Sequence, residues 1–165
     1  MTFLTVLLII SALGAIFFVA YGRENTWQLV AGNADLGPFN LQNIQRSDKP
    51  NDALLCAEPL CPDGIKVDKE LPSYELLAHE VIEEIDSQMR QSGVKYQRVD
   101  DGSDPKQARY VVRSNAMRFP DTNQFQAIEL GGGRTGLIAY GRAQIGYSDL
   151  GVNLQRLTDL TKSLR

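Results

Sequence analysis

The chain has 165 residues, of which 17 are Lys or Arg and 20 are Asp or Glu, giving a formal net charge of −3 at pH 7. This length allows one domain of ordinary size and a short additional segment. The slight acidity argues against nucleic-acid binding and against a polybasic lipid-binding patch, since both need clustered basic residues. With one histidine and two cysteines, the chain also lacks the ligand set of a structural zinc site, and we expect no metal and no cofactor.

The segment from Phe3 to Tyr21 carries no charged residue and is dominated by Leu, Ile, Val, Phe and Ala. Its length matches one bilayer crossing, and backbone groups in lipid must be hydrogen-bonded internally. We therefore predict that residues 1–22 are a single transmembrane anchor, with residues 3–21 in the membrane. The alternative is a secretory signal that is cleaved after Gly22. The retained anchor is favoured because no Lys or Arg precedes the apolar run, and because the run is long for a signal.

The direction of this anchor across the membrane is weakly specified by charge. Arg23 follows the anchor with Glu24 beside it, and no basic side chain precedes it, so the positive-inside rule gives little guidance. The cysteines favour a single-pass protein whose domain is periplasmic or otherwise extracytoplasmic, because disulfides persist in oxidising compartments.

Residues 23–50 contain Gly, Pro and several Asn, and no helical or strand period persists in them. Large apolar side chains nevertheless recur there, namely Trp27, Leu29, Val30, Phe39, Leu41 and Ile44. A free linker would hold fewer such groups. We predict an irregular segment that is partly docked on the domain.

Cys56 and Cys61 lie among the turn formers Pro59, Pro62 and Gly64. A thioredoxin-type redox pair has two intervening residues and opens a helix, and this pair does neither. A structural disulfide that closes a short loop is the simplest interpretation, with two reduced, buried thiols as the alternative. A bridge across so short a loop would shape the loop more than it would stabilise the fold.

Two segments show the three-and-four spacing of an amphipathic helix. The first is predicted from a capping Ser73 to about Ser92, with Gly93 as its stop. Its apolar stripe consists of Tyr74, Leu77, Ala78, Val81, Ile82, Ile85 and Met89, opposite an acidic face that includes His79. The second follows Ser148 or Asp149 as its cap. Its stripe consists of Leu150, Leu154, Leu157, Thr161 and Leu164, while Gln155, Arg156, Asp159 and Lys162 face away.

Between the helices the period changes to that of strands. Strands are predicted over residues 95–99, 109–119, 124–130 and 136–147. We expect Pro120 and Asp121 to end the second strand. We expect Gly131–Gly133 to form a hairpin turn, because a phosphate loop would be followed by a helix. The predicted fold is α+β: an N-terminal transmembrane helix, then a two-layer sandwich of an antiparallel sheet with two helices on one face and a wetter second face.

The string Arg142–Asn153, R-A-Q-I-G-Y-S-D-L-G-V-N, is richer than a plain helix cap requires. It resembles the C-terminal signature of domain-of-unknown-function family 1499, which consists of uncharacterised bacterial and plastid proteins. The cysteine region, the string Arg118–Asp121 (R-F-P-D) and the string Tyr140–Arg142 are also similar to elements of that family. The resemblance covers residues 51–165.

The chain departs from the family pattern at Ala143 and Gln144, where members often carry Ser and Arg. The resemblance implies a compact α+β domain that is exported or membrane-associated, without an established activity. It supplies no catalytic residue.

Polar side chains gather near the strands and the sheet-to-helix corner. The candidate binding residues are Arg118, Asp121, Arg142, Ser148, Asp149 and Asn153. Arg118 and Arg142 are expected to pair with Asp121 and Asp149 or to hold an anionic ligand, and a purely structural network is the alternative. We predict a binding or assembly module of the cell envelope, with an envelope protein or small anionic ligand as partner. The alternative is a hydrolase-type enzyme that uses Asp121 and Asp149.

Overall fold

The computed structural model describes residues 2–164. Helix α1, Phe3–Ala20, has a mean hydropathy of 2.7, and none of it is buried against the domain. By length and composition it is able to cross a membrane, and a secretory signal would meet the same description. The predicted N-terminal apolar helix is therefore confirmed.

The predicted irregular segment begins with a helix, α2, Arg23–Ala31. None of its residues is fully buried, so it has no continuous apolar stripe that periodicity could reveal. Trp27 holds it to the domain: the indole Nε1–H donates to the Met117 carbonyl at 2.6 Å, and the indole packs 4.8 Å from the Phe119 ring.

Within residues 2–164, six strands form one sheet in the order β2-β1-β6-β5-β4-β3. All neighbours are antiparallel except β1 and β2, which are parallel. The strands are β1 Asp52–Ala57, β2 Lys69–Leu71, β3 Lys95–Arg98, β4 Gln107–Arg113, β5 Pro120–Gly131 and β6 Arg134–Ala143. The prediction of three or four strands missed β1 and β2. Residues 53–57 are buried on both sheet faces, so they form a continuous apolar run without alternation.

Several strand boundaries differ from the prediction, and β6 ends at Ala143 instead of continuing to residue 147. β4 ends at Arg113, and residues 114–119 form a turn in which Ser114 N–H donates to the Phe119 carbonyl at 3.0 Å. Pro120 begins β5 instead of breaking a strand. The first residue of a strand tolerates proline, because the ladder bond that its missing N–H would make is dispensable there. Gly131–Gly133, all with positive φ, turn β5 into β6 as predicted.

Helices α3, Ala78–Gln91, and α4, Val152–Thr161, cover one face of the sheet, as predicted. The core between the layers includes Val81, Ile85, Tyr110, Phe125 and Leu157, all of which are fully buried. α3 begins later than expected. Tyr74 instead exchanges two backbone hydrogen bonds with Thr135 at 2.8 and 2.9 Å, and this bridge to β6 excludes helix at that point.

The second face of the sheet is more buried than predicted. Residues 33–47 lie across it, and Phe39 packs edge-on to Tyr140 with ring centroids 4.8 Å apart. The Gln124 side chain accepts from Phe39 N–H at 2.7 Å and donates to the Phe39 carbonyl at 3.0 Å, as a neighbouring strand would. Arg109 forms a two-pronged ion pair with Asp35, both distances being 3.0 Å.

Cys56 and Cys61 form a disulfide, as predicted. Cys56 lies in the buried strand β1 and not in a loop, and Cys61 follows a short 3-10 turn, Glu58–Leu60. The bridge therefore ties that turn to the second face of the sheet, where Cys56 packs with Ile138 and Tyr140.

Replacing Tyr74 with Phe is expected to raise the free energy of unfolding by about 1 kcal/mol, because a buried hydroxyl without a partner costs free energy. Tyr74 is 2% exposed, its hydroxyl bonds to nothing among residues 2–164, and burial raises its pKa to about 12. Urea midpoints of the full chain in detergent would measure the change.

Tyr110→Phe is the matched control, because the Tyr110 hydroxyl donates to Asp86 Oδ1 at 2.6 Å and its removal should destabilise the fold. A loss of stability in Tyr74→Phe equal to that of the control would contradict the expectation.

Candidate functional site

Residues 146–153, the corner between β6 and α4, are held by their own side chains. Ser148 Oγ accepts from Leu150 N–H at 3.1 Å, and Asp149 Oδ1 accepts from Gly151 N–H at 3.0 Å. Asp149 Oδ2 also accepts from Asn153 N–H at 3.0 Å, which satisfies one of the free donors at the start of α4. The helix itself begins at Val152, so Asp149 acts as a cap from just outside the helix.

The corner presents three apolar side chains to solvent. Tyr147 is 73%, Leu150 91% and Val152 48% exposed, and we call these three residues the corner cluster. Leu150 has a φ of 55°, in the left-handed region that residues other than glycine rarely adopt. The hydrogen bonds of Ser148 and Asp149 hold the chain in this turn. The prediction that Leu150 belongs to the buried stripe of the last helix is therefore wrong, because the helix begins two residues later.

A buried polar network lies beneath the corner and fixes it to the sheet. Asn153 Oδ1 accepts from Asn123 Nδ2 at 2.9 Å and from Arg156 Nη1 at 2.9 Å, and Asn153 Nδ2 donates to Asp149 Oδ2 at 2.9 Å. Arg156 Nη1 also donates to Asp121 Oδ2 at 2.9 Å. We call these five residues the corner network. It joins β5 to α4 through side chains alone.

Burial is the largest influence on Asp121 and raises the pKa of its carboxyl above the usual range. The Arg156 guanidinium opposes this rise through its charge and its hydrogen bond, and the Asp149 carboxylate adds to it. Asp121 is 7% exposed, so its ionised form depends on Arg156 as its counter-charge. The geometry is that of a structural ion pair in the interior.

The structure separates the six predicted site residues. Asp121, Asp149 and Asn153 belong to the corner network, and Ser148 stands beside it. Arg142 follows Gly141, where a Cβ would point toward Asn123 and Asn153. Because side chains alternate along a strand, Arg142 points to the opposite face of the sheet.

Arg118 lies in the turn 114–119, with a φ of 61°. The expected pairing of Arg118 and Arg142 with the two aspartates is therefore wrong, because the turn and the strand alternation direct both arginines elsewhere.

Arg156 is the arginine that pairs with Asp121, although its sequence position predicted an outward-facing side chain. The signal that could have identified it is the spacing of Asn153 and Arg156, which are three apart on a helix and so share one face. Nothing local to the sequence indicated that the sheet would place a carboxylate opposite that face.

A cleft of about 480 Å³ lies beside the corner, and Ser148 and Asp149 form part of its wall. The opposite wall contains Arg46, whose Nε and Nη2 each bond Asp52 at 2.8 Å and whose Nη2 is also 2.8 Å from Asp68 Oδ2. Two carboxylates therefore neutralise this arginine, which leaves it little attraction for an anionic ligand.

Asp121 does not line this cleft, so Asp121 and Asp149 do not form the two walls of a common hydrolytic site there. In the part of the chain described, no group of three or more His, Cys, Asp or Glu side chains is arranged to hold a metal ion.

Asp52 gives the fold a defined response to acid. Burial by itself raises its pKa, but the hydrogen bonds from Arg46, Ser47 N–H and the Tyr140 hydroxyl outweigh burial, and the pKa lies below its usual range. A carboxyl group whose pKa is lowered by folding stabilises the folded state at pH values above its ordinary pKa of about 3.9. This stabilisation is lost as the pH falls through the pKa of the folded state.

Asp52→Asn is accordingly expected to lower stability at pH 7 and to flatten its decline below about pH 4, the ordinary range of Asp. Urea midpoints at a series of pH values would measure this. Asp48→Asn, at an exposed position of the loop that precedes β1, is the control and should leave the decline unchanged. If the urea midpoint of Asp52→Asn fell below pH 4 as steeply as that of the wild type, the expectation would be contradicted.

Comparisons with protein-family models, curated proteins and solved structures found no match to this chain. The resemblance to family 1499 stays a prediction.

Proposed function

We propose that this protein is a membrane-tethered binding module of the cell envelope, and that its corner cluster docks on another protein of the same membrane. The observation that carries the proposal is the exposure of Tyr147, Leu150 and Val152 on a corner that is fixed from below. In this proposal α1 is retained as the anchor, the domain is extracytoplasmic, and residues 51–165 belong to family 1499. The apolar α1 and the disulfide support the placement.

The backbone of Leu150 supports a binding function. A residue with a side chain in the left-handed region costs about 1 kcal/mol or more, and such strain persists where the surrounding structure imposes it. Here the strained residue is a leucine whose side chain is exposed to solvent. Its conformation therefore contributes nothing to the packing of the core. A rigid apolar centre with charged groups around it is the usual anatomy of a protein interface.

The position of the corner supports a partner in the membrane. Gln144 N–H donates to the Pro120 carbonyl at 3.0 Å, so the corner and the turn 114–119 lie at the same end of the sheet. That turn contacts α2 through Trp27. The corner cluster therefore lies at the anchored end of the domain, where proteins of the same membrane are within reach.

The other predicted partners receive less support from the geometry. A small anionic ligand would need unpaired cations at the corner, whereas Arg46 and Arg156 are each paired with carboxylates. The hydrolase alternative would need Asp121 and Asp149 to meet in one cleft, and Asp121 is buried beneath Arg156.

Site-specific photo-crosslinking in intact cells tests the proposal. A photoreactive phenylalanine at Leu150 is expected to yield one discrete adduct with a membrane protein. The same group at Leu77, which is 54% exposed but lies at the start of α3, should not form that adduct. With the purified pair, Leu150→Ala should weaken binding about 30-fold, the effect of removing a residue worth about 2 kcal/mol.

Adducts at Leu150 with lipid alone, or identical adducts from Leu150 and Leu77, would contradict a protein partner at the corner. Orientation is tested separately by a reporter fused to the C-terminus. Activity confined to the cytoplasm would overturn the extracytoplasmic placement without bearing on the corner.

A further inference from the structure

A second cleft, of about 790 Å³, opens where α1 meets the domain. Its walls come from the last turn of α1, the start of α2, the first residue of β3 and the turn 114–119. Three basic side chains from distant parts of the chain, Arg23, Lys95 and Arg118, line it together with a single carboxylate, Glu24. An otherwise acidic protein thus gathers positive charge at the base of its anchor.

The charges in this cleft are not balanced internally. Glu24 pairs with Lys95 and lies 3.3 Å from Arg113 Nε, and the hydrogen bond from Lys95 lowers the Glu24 pKa against the effect of burial. Arg113 Nη1 is buried and has no partner among residues 2–164. The Arg118 side chain makes no hydrogen bond or ion pair within the same part of the chain, so its charge remains available.

Arg23 is also only partly satisfied: among residues 2–164, its guanidinium donates to one backbone carbonyl, that of Ala116, and pairs with no carboxylate. This contact places the guanidinium at the turn 114–119, on the same side of the cleft as Arg118. The two arginines and Lys95 therefore offer several N–H donors toward a common space, an arrangement suited to phosphate oxygens.

The cleft is also partly apolar. Phe18 and Val19, from the last turn of α1, and Met117, which is 41% exposed, contribute apolar surface to its lining. An excess of cations over carboxylates beside exposed apolar groups matches an amphiphile with an anionic head and a hydrocarbon part. When α1 spans a bilayer, its last turn lies at the headgroup level, where lipid phosphates lie.

We infer that this cleft holds the phosphate headgroup of an anionic phospholipid, with Arg23, Lys95 and Arg118 around the phosphate and Met117 against the apolar part. Composition argued against a polybasic lipid-binding patch, and no such run exists in the sequence. Here three basic residues that are far apart in the chain are brought together by folding. The inference shares with the proposed function the premise that α1 is retained, and is independent of the corner cluster.

Lipid binding at this cleft would set the orientation of the domain on the membrane. Trp27, the single tryptophan of the chain, lies between Phe18 of the anchor and Phe119 of the turn 114–119, with ring centroids 5.4 and 4.8 Å away. A headgroup bound beside these rings would join anchor and domain into one unit, and would hold the anchored end of the sheet against the bilayer.

Native mass spectrometry of the full-length protein in detergent, with equal amounts of phosphatidylglycerol and phosphatidylcholine, tests the inference. The wild type is expected to retain phosphatidylglycerol preferentially. Arg118→Gln with Lys95→Gln should reduce that preference about five-fold for each residue replaced, the contribution of one basic residue near an anionic surface. Lys106→Gln with Arg134→Gln removes the same charge at exposed ion pairs away from the cleft and should retain the preference.

An equal preference in wild type and cleft variant would overturn the inference. So would complete displacement of the lipid by saturating inorganic phosphate, which would identify a free-phosphate site. If the double variant fails to fold, Arg118→Gln alone serves, since that side chain contacts no polar partner in the described chain. N-terminal sequencing of the mature protein separately reports whether α1 is retained, so loss of the anchor is distinguishable from loss of the lipid site.

Discussion

Replacing Arg156 with Met is expected to lower the free energy of unfolding by about 3–5 kcal/mol, the usual cost of removing one partner of a buried ion pair. Arg156 and Asp121 have side chains that are 12% and 10% exposed, and their closest atoms are 2.9 Å apart. Without the guanidinium, the Asp121 carboxylate has no counter-charge, and Asn153 Oδ1 loses one donor. Urea unfolding of the full chain in detergent would measure the loss.

Arg134→Met is the matched control for this prediction. Arg134 lies 3.8 Å from Glu75, and the two side chains are 49% and 82% exposed, so that exposed pair should contribute at most about 1 kcal/mol. Similar losses of unfolding free energy in the two variants would show that the ion pair of Arg156 and Asp121 stabilises the fold no more than an exposed pair does.

The pH dependence of the same variant separates a charge effect from lost packing. Burial already raises the pKa of Asp121 with Arg156 present, and removing the guanidinium raises it further. A raised carboxyl pKa favours the folded state below the unfolded value and penalises it as the pH rises through the folded value. The defect of Arg156→Met should therefore shrink toward low pH, whereas a pure packing defect would not change.

Replacing Gly141 with Ala is expected to lower the free energy of unfolding by about 3 kcal/mol, the upper end of the usual cost of overpacking. A Cβ at Gly141 would lie 2.6 Å from Asn123 Nδ2 and 2.8 Å from Asn153 Oδ1, and these two atoms are hydrogen-bonded to each other. The methyl group would thus separate the pair that connects β5 with α4. Urea midpoints with an unchanged m-value would report this loss.

Gly14→Ala is the control, since it adds the same methyl group to α1, where the added Cβ would meet no atom of residues 2–164 within 4 Å outside the neighbouring helix backbone. Gly141→Ala and Arg156→Met act on one network, so the double variant should lose less than the sum of the two single losses. Strict additivity would contradict a shared network.

Periodicity predicted the helices and the hairpin because each depends on local spacing. The apolar residues of α3 recur at three and four residue steps, and its inward-facing side chains are buried, namely Val81, Ile82, Ile85 and Met89. The strand β1 has no such signal, because burial on both faces removes the alternation that marks a half-exposed strand. Pro120 was misplaced because a proline that starts a strand and one that breaks it are identical in sequence.

The candidate site was only partly predictable for the same reason. Asp149 and Asn153 are four apart, within the reach of a helix cap, and their bond follows from local chain geometry. The partner of Asp121 was assigned to the wrong arginines, because Arg142 faces the opposite side of the sheet and only the docking of α4 brings Arg156 to Asp121.

The sequence by itself determined the apolar α1, the α+β class, the disulfide pair and the cap that Asp149 provides for α4, since each depends on neighbours within a few turns of the chain. The tertiary structure decided which charges meet. It paired Arg156 with Asp121, placed residues 33–47 on the second face, and gathered Arg23, Lys95 and Arg118 at the base of α1. Those contacts join residues far apart in the chain, and their partners are selected by the packing of complete elements, which local spacing does not encode.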